Sequence, residues 1–104
     1  EEFTGSGTFS GSGNFVIDGP DTGTVNSVRF NFGDLDGSAG DDTFTLVTGG
    51  SLSVGLDGTG ETTAAGDTLV GDNDGNTFNV TGTGSGNVTG TIPDFQGIET
   101  LQGG

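Results

Sequence analysis

The stretch that decides the fold class is DTFTLV at residues 42–47, and it recurs as NTFNVT at residues 76–81. In the first copy Phe44 and Leu46 fall on one face, whereas Thr43 and Thr45 fall on the other. A period of two is typical of half-buried strands. Glycine and threonine disfavour helix, and no stretch repeats apolar residues at spacings of three and four. We therefore predict an all-β protein.

Two further strand types complete a repeating unit. The second type, framed by small residues, is predicted at residues 5–11, 49–55 and 84–90, and the third at residues 29–34, 67–72 and 99–104. Three short strands per unit, separated by glycine turns, predict a parallel β-solenoid (β-helix) of about three coils. The chain would form one module, 1–104, with units at approximately 1–41, 42–75 and 76–104.

The apolar residues of these strands should stack into an interior ladder. Phe3, Phe44 and Phe78, one per unit, would lie over one another in a single column. The predicted ladder comprises Phe3, Phe9, Phe44, Leu46, Leu52, Leu69, Phe78, Val80, Val88 and Leu101.

Charge and missing residue types exclude several functions. Fifteen acidic residues against the single cation Arg29 give a net charge of −14, which repels nucleic acid and anionic lipid. The chain has no histidine, cysteine, lysine or tyrosine, so it lacks the usual bases and nucleophiles, and we do not expect an enzyme. No apolar run reaches the length of a membrane span, so we expect no membrane insertion.

Both ends of the chain have the sequence pattern of ordinary repeat. A solenoid without caps exposes unpaired backbone groups at each end. We therefore expect this unit to stack end to end, either covalently within a giant repeat protein or noncovalently as a homopolymeric fibre or filament.

Three motifs resemble those of secreted bacterial repeat proteins of the filamentous-haemagglutinin-like and β-strand-repeat type. They are the DTF and NTF strands, GSGNVTG at 84–90 and IETLQGG at 98–104. The resemblance covers residues 44–104 well and the first 40 loosely, and residues 15–24 depart from it. It implies a parallel β-helix that is extracellular or at the cell surface. One alternative function is an adhesin or ligand-binding module that uses the loops at 14–25 or 57–67. Another is a calcium-stabilised repeat of the surface-layer type.

Calcium is the candidate cofactor. Two GDxDG segments, at 33–37 and 71–75, would occupy the same place in consecutive units and bring carboxylates together, which a hard cation with oxygen ligands would favour. GSAGDD at 37–42 resembles the calcium nonapeptide of toxin-type β-rolls, although Ser38 replaces a glycine. Alternatively, these aspartates simply accept N–H bonds in glycine turns. The candidate ligands are Asp34, Asp36, Asp41, Asp42, Asp72 and Asp74.

Asn79 and Asn87 stand in NVT sequons and are candidate N-glycosylation sites. Chance occurrence is the alternative in a chain that is rich in asparagine and threonine.

Overall fold

A computed structural model describes residues 2–5, 7–59, 66–72 and 75–103. Within these residues the chain forms thirteen short strands, which bears out the all-β prediction. In chain order they are β1 Glu2–Thr4, β2 Thr8–Ser10, β3 Asn14–Gly19, β4 Thr22–Val25, β5 Val28–Asn31, β6 Asp34–Asp36, β7 Thr43–Leu46, β8 Gly55–Asp57, β9 Thr68–Val70, β10 Phe78–Gly82, β11 Ser85–Val88, β12 Ile92–Gln96 and β13 Thr100–Gln102. The described residues contain no helix that is long and apolar enough to cross a membrane.

The strands form two mixed sheets that face each other across the core. The seven-stranded sheet has the order β1-β5-β4-β3-β7-β9-β13, and the six-stranded sheet has the order β10-β11-β12-β8-β6-β2. Strands β6, β7, β8 and β9 lie alternately in the two sheets, so the middle of the chain crosses from one sheet to the other at each connection.

The predicted parallel β-solenoid of three coils is wrong, because each sheet contains a three-stranded antiparallel meander and the strands do not close into a solenoid. In the larger sheet the meander is β3-β4-β5, and in the smaller one it is β10-β11-β12. The two residues between β4 and β5, Asn26 and Ser27, both have positive φ (49° and 72°). A two-residue turn of this kind reverses the chain within one sheet instead of sending it to the other.

The single column of Phe3, Phe44 and Phe78 does not form either. Phe44 lies opposite Phe15, and their ring centroids are 4.7 Å apart. Phe3 lies opposite Phe30 in the same sheet, but Phe78 belongs to the other sheet. The three landmark residues therefore occupy three separate places in the fold.

The core lies between the sheets and is built from the inward-facing residues of both. The core contains five residues of the predicted ladder, which are Phe44, Leu46, Leu52, Leu69 and Val88. Two more ladder residues, Phe9 and Phe78, are half-buried against the core. The other buried apolar residues are Phe15, Ile17, Val25, Phe30, Leu35, Leu56, Ile92, Phe95 and Ile98.

The first two strands of the two meanders are copies of one another, 63 positions apart. Phe15 and Val25 of the first correspond to Phe78 and Val88 of the second, and each pair lies directly opposite in its hairpin. The middle strands carry equivalent glycines, Gly23 and Gly86, at which a Cβ would overlap with a carbonyl oxygen of the preceding strand.

The surroundings of these glycines and the hairpin hydrogen bonds repeat as well. A Cβ on the first glycine would lie 2.9 Å from Phe30 Cζ, and one on the second 2.9 Å from Phe95 Cζ, although these two phenylalanines are 65 positions apart. The N–H of Asn26 donates to the Asn14 carbonyl, and 63 positions later Thr89 donates to Thr77.

Candidate assembly surfaces

One end of the molecule exposes an aromatic cluster on two edge strands. Within the described residues, β1 and β2 each pair with a strand on one side only. Phe3 on β1 is 45% exposed although it lies opposite the fully buried Phe30 and points in the same direction. Its ring centroid lies 5.6 Å from that of Phe9 on β2, which in turn stacks on Phe32 at 5.0 Å. We call β1 and β2 with these rings the aromatic end.

The opposite end exposes aliphatic core residues on β10 and β13. Val80 lies opposite the buried Gly86 and is 62% exposed, and Leu101 lies opposite the buried Leu69 and is 37% exposed. Phe78 on β10 is half-buried. We call β10 and β13 the aliphatic end. Phe3, Val80 and Leu101 of the predicted ladder are thus exposed because, within the described residues, no further strand covers the outer side of their strands.

The edge strands of the two ends run in matching directions. In the larger sheet β13 is parallel to β9, β7 and β3, and the two antiparallel steps of the meander make β5 and its parallel partner β1 run the same way. The same reasoning makes β10 parallel to β2 in the smaller sheet. A second copy placed end to end would therefore add parallel strands to both sheets.

A row of three carboxylates links successive strands of the larger sheet, and we call Asp42, Asp67 and Glu99 the carboxylate ladder. Asp42, which is 1% exposed, accepts the Gly13 N–H through Oδ1 at 2.6 Å. Asp67 Oδ1 accepts the Asp42 N–H at 2.7 Å, and Glu99 Oε1 accepts the Asp67 N–H at 2.8 Å. Each carboxylate thus binds the backbone of the preceding strand in the row, which gives the acidic residue before each Thr-Phe or Thr-Leu pair a structural role.

The five predicted calcium ligands that the structure describes do not converge into a metal site. Asp34 and Asp36 project from β6 in the smaller sheet, whereas Asp72 follows β9 in the larger one, so Asp72 does not stack on Asp34. Asp42 belongs to the carboxylate ladder, its neighbour Asp41 is exposed, and Asp74 lies outside the described residues.

Asp36 has a local partner of the kind that glycine turns provide, since its Oδ1 accepts the Ser38 N–H at 2.8 Å. No group of three or more acidic, histidine or cysteine side chains suited to a metal occurs in the described part of the chain. Calcium binding stays a prediction.

The two sequon asparagines are cross-strand neighbours. Asn79 on β10 lies opposite Asn87 on β11, and its Nδ2 donates to Asn87 Oδ1 and to Thr89 Oγ1, both at 2.8 Å. Both side chains point away from the core, Asn79 being exposed and Asn87 half-buried. Glycosylation stays a prediction.

The predicted recognition loop at 14–25 is in fact the hairpin β3–β4. Its turn at Pro20 and Asp21 borders a groove of about 390 Å³, which Leu52 and residues 87–93 also line. Asp21 is already engaged there, since its Oδ1 accepts the Ser53 N–H at 2.6 Å. Much of the second predicted loop, 57–67, lies outside the described residues.

Sequence reasoning missed the duplicated meander that creates the aliphatic end. The signal was present: FVIDG at 15–19 and FNVTG at 78–82 are followed by GTV at 23–25 and GNV at 86–88, at the same offset. Comparison with known proteins adds no further guide, because no family model, curated protein or solved structure matches the chain.

Proposed function

We propose that this chain is a structural module, extracellular or at the cell surface, which joins further copies end to end into a fibre. The observation that carries the proposal is the exposure, at opposite ends, of inward-facing apolar residues on edge strands that run in the same direction. Exposed edges with apolar side chains favour pairing with another chain. Phe3, Val80 and Leu101 are the residues that such pairing would bury.

The net charge of each copy opposes this association through electrostatic repulsion. Each copy carries a formal charge of −14, and Arg29, the single cation, already pairs with Asp18 at 2.7 Å. Like-charged copies repel, and salt screens exposed charges beyond about 8 Å at physiological ionic strength. We therefore expect association to strengthen as salt is raised, in contrast to an assembly held by ion pairs.

Sedimentation velocity and electron microscopy of the purified chain test the proposal. We expect species larger than the monomer that grow with protein concentration and with sodium chloride, and short rods with a repeat close to the length of one copy. A monomer that persists at every concentration and salt level would refute end-to-end association. The adhesin and surface-layer alternatives predict monodisperse particles and a calcium requirement, respectively.

The extracellular location rests on the resemblance to secreted repeat proteins and is tested separately. An antibody against the chain should label intact cells of the source organism. Labelling only after cells are permeabilised would contradict a surface location without affecting the assembly.

A further inference from the structure

The contact between β3 and β7 shows how a strand covers the outer edge of a meander. Strand β7 runs parallel to β3, with Phe44 opposite Phe15 and the two rings stacked. Strand β10 is the copy of β3 in the second meander, and Phe78 stands in the place of Phe15. Its outer edge, however, has no strand beside it within the described residues. The first meander therefore serves as a template for what the second can bind.

The backbone of β10 offers the same groups as that of β3. The carbonyls of Gly13 and Ile17 accept N–H bonds from β7, so alternate residues of β3 face that strand. The residues equivalent to Gly13, Phe15 and Ile17 are Asn76, Phe78 and Val80. The backbone groups of Phe78 and Val80 consequently point to the open edge of β10, while those of Asn79 point to β11.

Strand β2 has the sequence and the orientation of β7. It carries Thr-Phe-Ser at 8–10, where β7 carries Thr-Phe-Thr at 43–45. The Gly11 N–H donates to the Asp36 carbonyl at 2.9 Å, so by alternation Phe9 also faces β6, and Thr8 and Ser10 present their backbone groups to the open edge. In β7 it is likewise the threonines whose backbone groups face β3.

We propose that β2 of a second copy pairs in parallel with β10, with Phe9 opposite Phe78 and Ser10 opposite Asn79. The ring of Phe9 then lies over that of Phe78 as Phe44 lies over Phe15. This inference rests on the proposed end-to-end association and adds the register to it. It also explains why Phe9 and Phe78 are only half-buried in one copy, since each would gain the other as a neighbour.

Disulfide trapping tests the register directly, because the chain contains no cysteine. In the proposed pairing the Cα atoms of Ser10 and Asn79 lie about 4.8 Å apart, within the range that a disulfide bridges. The matched control combines Thr8→Cys with Asn79→Cys. Thr8 shares the exposed outer face of β2 with Ser10 but is two residues out of register, which places the Cα atoms about 8 Å apart.

Bonds within one copy cannot confuse the result, because β2 and β10 are the first and last strands of the six-stranded sheet. Under mild oxidation we expect Ser10→Cys/Asn79→Cys to give a ladder of covalent oligomers on a non-reducing gel. The Thr8→Cys/Asn79→Cys variant should give at least tenfold less. Each single-cysteine variant can give dimers at most.

Sedimentation of the cysteine-free chain under the same conditions separates the two hypotheses. If the chain associates and the Thr8→Cys/Asn79→Cys variant forms the ladder instead, the register is overturned and end-to-end association stands. If it associates and neither double variant forms a ladder, β2 is not the strand that covers β10. If it does not associate and no ladder forms, the proposed function and the register both fail.

Discussion

Val80 provides a sharp test of the assembly because Val54 is a matched control. The two valines are 62% and 56% exposed, so neither is needed for the core of a single copy. Val80 lies on the edge strand β10 and faces the interior of the proposed joint. Val54 instead lines a shallow groove on the outer face of the six-stranded sheet. Replacing each with lysine makes the same change of charge and size at two places.

The expected effect at Val80 follows from its exposure. Full burial of a valine contributes about 1.5–2 kcal/mol, so burying the exposed share of Val80 contributes about 1 kcal/mol to association. A lysine at this position loses that favourable contribution. Its partly desolvated ammonium group also costs about 1.5 kcal/mol, even with the side-chain stem extended towards solvent. The total of about 2.5 kcal/mol corresponds to a roughly sixtyfold weaker association.

Sedimentation velocity over a concentration series measures this difference. We expect Val80→Lys to shift the midpoint of association to a roughly sixtyfold higher concentration and Val54→Lys to leave it within about twofold. Circular dichroism should show the same spectrum and similar thermal midpoints for both variants, since both sites are exposed. Equal association constants for the two variants would refute the placement of Val80 in the joint.

Three further predictions concern the fold of a single copy. Phe44→Ala should lower the free energy of unfolding by about 3–5 kcal/mol and Phe3→Ala by about 1–2 kcal/mol, measured by urea denaturation with circular dichroism, because Phe44 is fully buried and Phe3 is 45% exposed at an edge. Equal losses would mean that Phe3 is also a core residue of the single copy. Gly23→Ala and Gly86→Ala should each cost about 3 kcal/mol or more in the same assay, because the added methyl group overlaps with a carbonyl oxygen, whereas Gly103→Ala meets no atom within 4 Å and should cost almost nothing. A tolerated Gly86→Ala would argue against the close approach of β10 and β11. If calcium binds as predicted, EDTA should lower the thermal midpoint by more than about 2 °C from its value in calcium, and a midpoint that stays within that range would remove the calcium hypothesis.

The sequence predicted the all-β class and several strands, although not the sheet arrangement, because the class and the strands depend on local alternation. The prediction for residues 42–47 closely matches β7, with Phe44 and Leu46 buried and Thr43 and Thr45 on the other face. The same rule would have placed Asp34–Asp36 in a strand, since Leu35 is buried between two outward carboxylates. The flanking glycines made this segment resemble a turn, and the calcium hypothesis followed from that interpretation.

The first meander escaped prediction because the turn between β4 and β5 carries a weak local signal. Asn26 and Ser27 both adopt positive φ, a conformation for which serine has little preference. Residues 15–24, which depart from the pattern of the resembled repeat proteins, form most of the hairpin β3–β4. Assigning each strand to one of the two sheets depends on such turns, which is why the sheet order could not be deduced from alternation alone.

The carboxylate ladder explains why an acidic residue precedes the Thr-Phe or Thr-Leu pair in β7, β9 and β13. Asp42 and Asp67 are almost fully buried on neighbouring strands, an arrangement in which like charges repel and desolvation is costly. A carboxylate that accepts a backbone N–H makes a charge-assisted hydrogen bond, about twice as strong as a neutral one. The bond forms only when the two strands are in the observed register, since a shift by one residue would move the acceptor to the other face of the sheet. The ladder therefore fixes the register of short strands that bury few apolar side chains, and this gives Asp42, Asp67 and Glu99 a structural role.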